Sequence, residues 1–376
     1  MKVITPEVEH GIVSRRTDSF FRMHGWPSVC ADDRGVLYAV CSGMRMEHAC
    51  PMGKNCMYVS FNGGKTWTPP VIVNDSYVDD RDTGIVYLGN GKMLLSYFSI
   101  EDRDHYKGFG DFEWMDEARK SLILGMGKAM SLIDEKDKKC GSFVKLSDDY
   151  GVTWSDGIRL PVTAPHGPNV MKDGTIIYLG RADYMDRNDP DPDRFKIVCY
   201  ASCDGGHTWE KRGVVPPCDG LPVEFVHEPH VVELPNGRLL GAMRVHCRPQ
   251  PVDHANTVFT TFSDDGGLTW SCPQSIGVDG FPPHLMIHSS GAVICSYGNR
   301  GFREDGIKEE RAAVSYDNGE TWSEDYLLYP NAIGDMGYPA TAELPDGSLI
   351  TVYYQMYKSE DFLSSILYTK WRLKDR

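Results

Sequence analysis

The sequence repeats one eight-residue pattern, Ser-x-Asp-x-Gly-x-Thr-Trp, at five places along the chain. In such a pattern the acidic side chain can bond backbone N–H groups of a hairpin turn, the glycine accepts a left-handed conformation, and the tryptophan packs between sheets. Five copies in one chain make chance a poor explanation, so we predict five similar β units. The copies span 60–67 (with Asn62 in the Asp place), 147–154, 202–209, 263–270 and 315–322.

A second repeat runs in phase with the first and consists of two apolar stretches joined by a glycine turn. The six turn glycines are separated by steps of 56, 83, 63, 54 and 56 residues, and they are Gly35, Gly91, Gly174, Gly237, Gly291 and Gly347. Together the two patterns give four strands per unit, which is one blade of a propeller. The sequence therefore predicts an all-β fold, a six-bladed β-propeller, in which residues 1–376 form a single domain.

The sixth unit lacks the Asp-type turn and ends in an apolar stretch over 366–373. We predict that residues before Arg22 complete this last blade and close the ring, so that no sheet edge is left bare. The one long step contains 102–139, where apolar residues recur among charges at roughly helical spacing. This predicts a helical insertion in blade two, which is a lid, an oligomer contact or a cover for blade edges.

Composition and charge exclude several classes of partner. The net charge of −14, without a basic run to offset it, argues against nucleic acid and anionic membranes. We find no run of eighteen apolar residues and no signal-peptide pattern at the N-terminus, and the odd count of 11 cysteines suits reduced thiols. We therefore expect a cytoplasmic protein that needs no metal or other cofactor, and the oligomeric state stays open.

Equivalent positions in the six units, and their neighbours, carry many charged, polar and aromatic residues. The first strand of each blade lines the channel of a propeller, and ligand sites gather where these strands begin. Counting back nine residues from each turn glycine gives Trp26, Asp82, Pro165, Glu228, Pro282 and Tyr338. His166, beside Pro165, either contacts a substrate or fills the channel.

Arginines stand where the second strands return to the same mouth. Because planar guanidinium groups bind carboxylates bidentately, arginines that converge in a net-acidic protein favour a carboxylate-binding site. The alternative is that they form salt bridges between blades with Asp80, Asp82, Glu228 or Glu233. The candidates are Arg45, Arg181, Arg244 and Arg300, with Arg22 before the first inner strand and Arg81 next to Asp82.

These repeats and their order resemble the sialidase (neuraminidase, BNR-repeat) superfamily over nearly the whole chain. Phe21-Arg22, followed by Pro27, resembles the family's opening segment, although four residues separate the arginine from the proline instead of one. The segment from Glu228 to Gly237, continuing to Arg244, is similar to the one that holds the family's glutamate and second arginine. Further matches are Tyr297–Arg300, with Arg303 as an alternative third arginine, and Gly337-Tyr338-Pro339.

The resemblance implies that Tyr338 is a nucleophile, that Glu228 takes its proton, and that Arg22, Arg244 and Arg300 bind a carboxylate. A neutral phenol suits this task because it approaches a carboxylate-bearing anomeric centre without charge repulsion. The family's acidic residue before the first Asp-type turn is missing here, since the loop 43–51 has no Asp. We favour Asp82 as the general acid, with Asp80, Glu47 and His48 left open.

The function implied by this resemblance is an exo-acting, retaining glycoside hydrolase that removes a terminal acidic sugar, with sialic acid as the first candidate. Two alternatives stay open at this point. One is a propeller that binds glycans without turnover, because a fold alone decides no function. The other is a lyase or glycosidase that acts on uronic acids with the same arginines and a Tyr or His base.

Overall fold

The computed structural model describes residues 1–101, 115–182, 192–217, 221–246, 256–303 and 305–374. Its strands form six sheets arranged as a six-bladed β-propeller, which confirms the prediction from the repeats. Two strands precede the first blade, β1 (Lys2–Ile4) and β2 (Glu9–Ser14). Blade one contains β3 to β6, at Met23–Ala31, Leu37–Arg45, Lys54–Ser60 and Val71–Asn74. Blade two contains β7 to β10, at Asp79–Gly89, Lys92–Ile100, Gly141–Ser147 and Ile158–Leu160.

The remaining blades follow in chain order. Blade three contains β11 to β15, at Val162–Thr163, Asn169–Val170, Ile176–Ala182, Ile197–Ser202 and Glu210–Val214. Blade four contains β16 to β19, at Val226–Glu233, Leu239–His246, Asn256–Ser263 and Gln274–Ser275. Blade five contains β20 to β23, at His284–Ile287, Val293–Arg300, Lys308–Ser315 and Glu324–Tyr329. Blade six contains β24 to β26, at Gly337–Glu343, Leu349–Gln355 and Ser365–Trp371, with β2 as its fourth strand.

Residues near the start of the chain close the ring, as the sequence predicts. Strand β2 pairs antiparallel with β26, and Glu9 lies opposite Lys370. Strand β1 adds a contact that the repeats do not indicate, because it pairs parallel with β23 as a fifth strand of blade five. The first residues of the chain therefore cover the outer edges of two neighbouring blades.

The hydrophobic core is divided into clusters that lie between neighbouring blades. Six of them join adjacent blades around the ring, and the one that joins blade six to blade one contains Leu37, Val352 and Tyr354, all fully buried. Burying a side chain of this size contributes roughly 1.5–3 kcal/mol. The ring is thus closed by apolar contacts as well as by strand pairing.

The Asp-type turns take the predicted geometry. In the third copy Asp204 Oδ1 accepts the Thr208 backbone N–H at 2.9 Å, and Ser202 Oγ accepts that of Gly206 at 2.8 Å. Gly206 has a φ of +98°, and Trp209 packs against the cluster between blades two and three. Each turn therefore fixes the end of one blade against its neighbour.

One α-helix, α1 (Glu117–Met130), lies between β8 and β9 in blade two, within the predicted insertion; residues 102–114 of that insertion are outside the described part. Its Ile123 and Met130 pack with Met46 and Cys50 in the loop between β4 and β5, and with Val78 just before β7. The helix therefore covers the mouth-side loops of blades one and two. Short 3₁₀ turns occur at Glu135–Asp137, Val223–Phe225 and Ser359–Asp361. In the described ranges, helices are all too short or too polar to cross a membrane.

Candidate active site

Four inner strands carry a β-bulge near their start, and each bulge contains one non-glycine residue with a positive φ. The residues are Trp26 (53°), Asp82 (44°), Glu228 (46°) and Tyr338 (52°). A bulge redirects a side chain, and a left-handed non-glycine residue costs on the order of 1–3 kcal/mol, a strain that clusters at functional sites. The sequence has six equivalent positions, each nine residues before a turn glycine. Four of them therefore share one backbone conformation at the channel mouth.

Glu228 and Tyr338 meet across the channel from blades four and six. Tyr338 Oη donates to Glu228 Oε1 at 2.5 Å, and Arg244 Nη1 donates to Glu228 Oε2 at 2.7 Å. Burial raises the pKa of the Tyr338 phenol well above its ordinary value of 10. Burial would also raise the pKa of Glu228, but the charge of Arg244 and the Tyr338 hydrogen bond outweigh it and lower that pKa below 4.5. The pair is a neutral phenol in direct contact with an ionised carboxylate, which is the state that a nucleophile and its base require.

Asp82 lies next to this pair on blade two. Its side chain is buried, and burial raises its pKa to about 6. Among the described residues, its Oδ1 atom has no hydrogen-bond partner. Asp82 and Glu228 both line a cavity of about 210 Å³, together with Phe98, Thr163 and Arg181. A carboxyl group that is protonated in mildly acidic solution and faces a cavity is placed to donate a proton.

The other candidates for the acid point elsewhere. Both oxygens of Asp80 accept hydrogen bonds, from Ser76 Oγ at 2.8 Å and Ser99 Oγ at 2.5 Å on Oδ1 and from the Ser76 N–H on Oδ2. Glu47 Oε1 accepts the Ala49 N–H at 3.1 Å, and the His48 ring stands at the rim, 4.8 Å from the ring of Trp26. Of the four candidates, Asp82 is the one that lines the cavity beside Glu228.

Arg244 and Arg300 lie together beside Tyr338. Arg300 Nη1 donates to the Met336 carbonyl at 2.6 Å, and its Nη2 pairs with Asp335. Arg303 instead donates to Glu309 at 2.6 Å on the outer part of blade five. The structure therefore brings Arg300, and not Arg303, to the mouth.

Two predicted arginines are placed differently. Arg45 is fully buried and forms an ion pair of 2.7 Å with Asp79, which makes it a salt bridge between blades one and two, although Asp79 is not among the acidic partners that the sequence suggested. Arg22 lies on the segment before β3, where its charge acts on Asp361, and no described hydrogen bond or ion pair joins it to Arg244, Arg300 or Tyr338. The residue of blade one that lies in the bulge at the mouth is Trp26.

Arg81 and Arg181 reach the mouth from blades two and three. The guanidinium carbon of Arg81 lies 4.7 Å from the ring centre of Trp26, and its Nη2 is 3.3 Å from His48 Nε2. Arg181 lines the cavity beside Asp82 and contacts His227. Burial and the Arg181 charge lower the pKa of His227 to about 3, so this ring stays neutral.

A cluster of three histidines lies in the channel below Tyr338, and only one of them, His166, was predicted from the sequence. His230 and His284 stack with ring centres 4.6 Å apart, and His166 lies 5.0 Å from His284. Nδ1 of His230 accepts the backbone N–H of Leu285, and Nδ1 of His284 accepts that of Thr341. The ring hydrogens of these two histidines therefore lie on Nε2, which disfavours metal binding. Within the described ranges no group of three or more His, Cys, Asp or Glu side chains is arranged to hold a metal ion.

Comparison with known families and structures agrees with this architecture. A family model described as "BNR repeat-like domain" matches residues 130–352, and one described as "BNR/Asp-box repeat" matches residues 58–69. No curated protein matches the sequence.

Solved structures match over almost the whole chain at low sequence identity. A protein of unknown function from Dyadobacter fermentans is 18% identical with a TM-score of 0.73, covering 98% of this chain and 99% of that one. The Hadza microbial sialidase is 16% identical with a TM-score of 0.64, covering 93% of this chain and 66% of that one. The leech intramolecular trans-sialidase, in complex with 2,7-anhydro-Neu5Ac, is 15% identical with a TM-score of 0.65, covering 96% and 69%. At these identities the likeness shows the fold alone.

Proposed function

Because the chain belongs to the BNR repeat-like domain family, we propose that it is a sialidase-like, exo-acting glycoside hydrolase that releases a terminal acidic sugar. The observation that carries this proposal is the 2.5 Å contact between Tyr338 and Glu228, with Asp82 on the cavity that Glu228 also lines. A nucleophile, its base and a protonated acid are thus close together, as hydrolysis with a covalent intermediate requires. The sialidases among the similar structures support the same class of reaction.

The proposed reaction has two steps. In the first, Tyr338 Oη attacks the anomeric carbon while its proton passes to Glu228, and Asp82 gives its proton to the leaving oxygen as the glycosidic bond breaks. In the second, Asp82 takes a proton from water, which attacks the anomeric carbon, and Tyr338 leaves as it regains its proton from Glu228. Two displacements at one carbon retain its configuration.

The acidic group of the sugar is assigned to the side of the mouth where Arg244 and Arg300 lie. Guanidinium groups that are largely buried hold their charge and bind a carboxylate more strongly than they would in water. Sialic acid is the first candidate, and another ulosonic acid or a uronic acid fits the same chemistry. Arg81 and Arg181 are assigned to other parts of the sugar, on blades two and three.

The test is a panel of 4-methylumbelliferyl glycosides of N-acetylneuraminic acid, other ulosonic acids and glucuronic acid, with neutral glucoside and galactoside as controls. We expect release of the fluorophore from at least one acidic glycoside, with the product formed first in the anomeric configuration of the substrate by NMR. If an ulosonic acid is hydrolysed, its 2,3-difluoro analogue should lose the anomeric fluoride as Tyr338 Oη bonds to the anomeric carbon, and the peptide that contains Tyr338 should gain the mass of the analogue less HF. Binding without release from any glycoside would indicate a glycan-binding propeller, and a new ultraviolet-absorbing double bond would indicate a lyase.

The pKa values of the two carboxyl groups predict an acidic pH optimum. Glu228 must be ionised, and its pKa is held below 4.5; Asp82 must be protonated, and burial raises its pKa to about 6. The value of kcat/KM should therefore fall as the pH rises through about 6, and it should fall on the acid side only at a pH lower than the ordinary glutamate pKa, because the pKa of Glu228 is lowered. Measured from pH 3.5 to 8.5, the alkaline decline should disappear in Asp82→Asn, and a profile that is flat between pH 5 and 8 would contradict these roles.

A further inference from the structure

Asp335 already occupies the anion-binding side of the mouth. It lies just before β24, in a segment without regular structure, and its side chain is 40% exposed. Its Oδ1 pairs with Arg300 Nη2, and its Oδ2 accepts the Tyr354 hydroxyl at 2.9 Å. The same Oδ2 is 3.8 Å from Nδ1 of His48. Both carboxylate oxygens are therefore engaged, one by a guanidinium group and one by a phenol.

These contacts are the ones that a bound ligand carboxylate would make. A guanidinium group and a neighbouring hydroxyl bind the two oxygens of a carboxylate with charge-assisted hydrogen bonds. The adjacent residue strengthens the arrangement, because the Met336 carbonyl accepts from Arg300 Nη1 at 2.6 Å. Asp335 and Met336 thus hold both terminal nitrogens of this arginine.

The charge of Asp335 persists over the working pH range. Although burial alone would raise its pKa, the nearby His48 ring, the charge of Arg300 and the hydrogen bond from Tyr354 lower it to about 2. Arg244 faces Glu228 in the same way, so each of the two arginines has an acidic partner within the chain. A second carboxylate that approached Arg300 would meet a like charge at close range.

We propose that Asp335 competes with the substrate for Arg300 and must turn out of the subsite before an acidic sugar binds there. The proposal deepens the proposed function, on which it rests for the identity of the ligand carboxylate. The side chain can turn toward solvent once its contacts with Arg300 and Tyr354 break, because it is 40% exposed and belongs to no strand. Asp335 thereby weakens the affinity for every acidic ligand and sets the strength of the selection between acidic and uncharged sugars.

The test is the affinity of Asp335→Asn for N-acetylneuraminic acid and for its uncharged methyl ester, measured by titration calorimetry. Because the site would no longer be occupied from within the chain, we expect the Kd of the acid to fall about tenfold, while that of the ester stays within about twofold of wild type. The matched control is Asp346→Asn, which removes an acidic charge from an exposed ion pair with Arg372 at the opposite end of blade six. It should change neither Kd.

An acid affinity that is unchanged or weaker in Asp335→Asn would overturn the proposal. Asp335 would then hold Arg300 in position without competing with the substrate. Failure of both proteins to bind the acid would overturn it as well. Asp335→Ala gives a second reading, because it removes the whole carboxylate that competes for Arg300 while it keeps the Tyr354 hydroxyl, and it should shift the ratio of acid to ester affinity in the same direction. The glycoside panel tests the proposed function independently. If wild type hydrolyses a glycoside but Asp335→Asn does not bind the acid more tightly, only the competition is rejected. If Asp335→Asn binds the acid more tightly but no glycoside is hydrolysed, only the proposed reaction is rejected.

Discussion

Replacing Tyr338 by phenylalanine should lower kcat roughly 10⁴-fold, since the variant lacks the oxygen that forms the covalent bond. The ring keeps its packing, because Tyr338 is buried against the core between blades six and one. Glu228 keeps its hydrogen bond of 2.7 Å from Arg244, so the lost phenol bond should cost only about 1 kcal/mol of stability. The measurement is single-turnover hydrolysis of the best glycoside in the panel, with a Kd from calorimetry.

The matched control for this variant is Tyr353→Phe. Tyr353 is also fully buried in blade six, but its hydroxyl pairs with Thr369 and is not at the mouth. Its kcat should stay within about twofold of wild type, since the same change is made away from the reacting atoms. If Tyr338→Phe keeps more than about a tenth of the activity, Tyr338 is not the nucleophile. If wild type binds and neither protein hydrolyses, the glycan-binding alternative holds.

Replacing Asp82 by asparagine should lower kcat/KM roughly 10²-fold or more for a glycan whose leaving group is a sugar alcohol. The asparagine cannot supply the proton that such a leaving oxygen needs. With 4-methylumbelliferone, which leaves as a stable anion, the loss should be only a few-fold. The measurement compares both substrates for both proteins, and the ratio of the two losses identifies the acid.

Asp80→Asn is the control, because Asp80 is also a buried carboxyl group whose pKa burial raises to about 6. Its oxygens are held by Ser76 and Ser99, so we expect lower stability but no dependence of the effect on the leaving group. Equal losses for both leaving groups in Asp82→Asn would remove Asp82 from the role of acid. Glu47 and His48 would then be tested in the same way.

The repeats were sufficient to predict the ring, because each turn and each apolar pair is a local signal that recurs in the chain. They also predicted which residues are equivalent: Asp82, Glu228 and Tyr338 have the same bulge and the same backbone conformation in three different blades. Counting from a turn glycine works in four blades, because the bulge lies at the same distance before the turn in each. It does not extend to blade three, where two short strands, β11 and β12, replace one long inner strand, or to blade five, where β20 begins only after Pro282.

Other features depend on contacts that no local pattern records. The ion pair of Arg45 joins the end of β4 to Asp79 at the start of β7, 34 residues later. Asp335 lies in an irregular segment, where spacing gives no direction for a side chain. His230 and His284 could have been found, since both stand on inner strands and would be expected to face the channel, but a histidine at such a position does not reveal its neighbours from other blades.

The blade that carries Tyr338 is assembled from strands that are more than 340 residues apart in the sequence, since β2 (Glu9–Ser14) pairs with β26 (Ser365–Trp371). A nascent chain whose β26 has not yet emerged from the ribosome lacks that pairing, and the proposed active site should therefore form only after this strand has been synthesised and exposed. A protease that cuts after Ser14 would release the same strand from the finished molecule. Catalytic competence and the integrity of the N-terminal segment should accordingly be lost together during limited digestion.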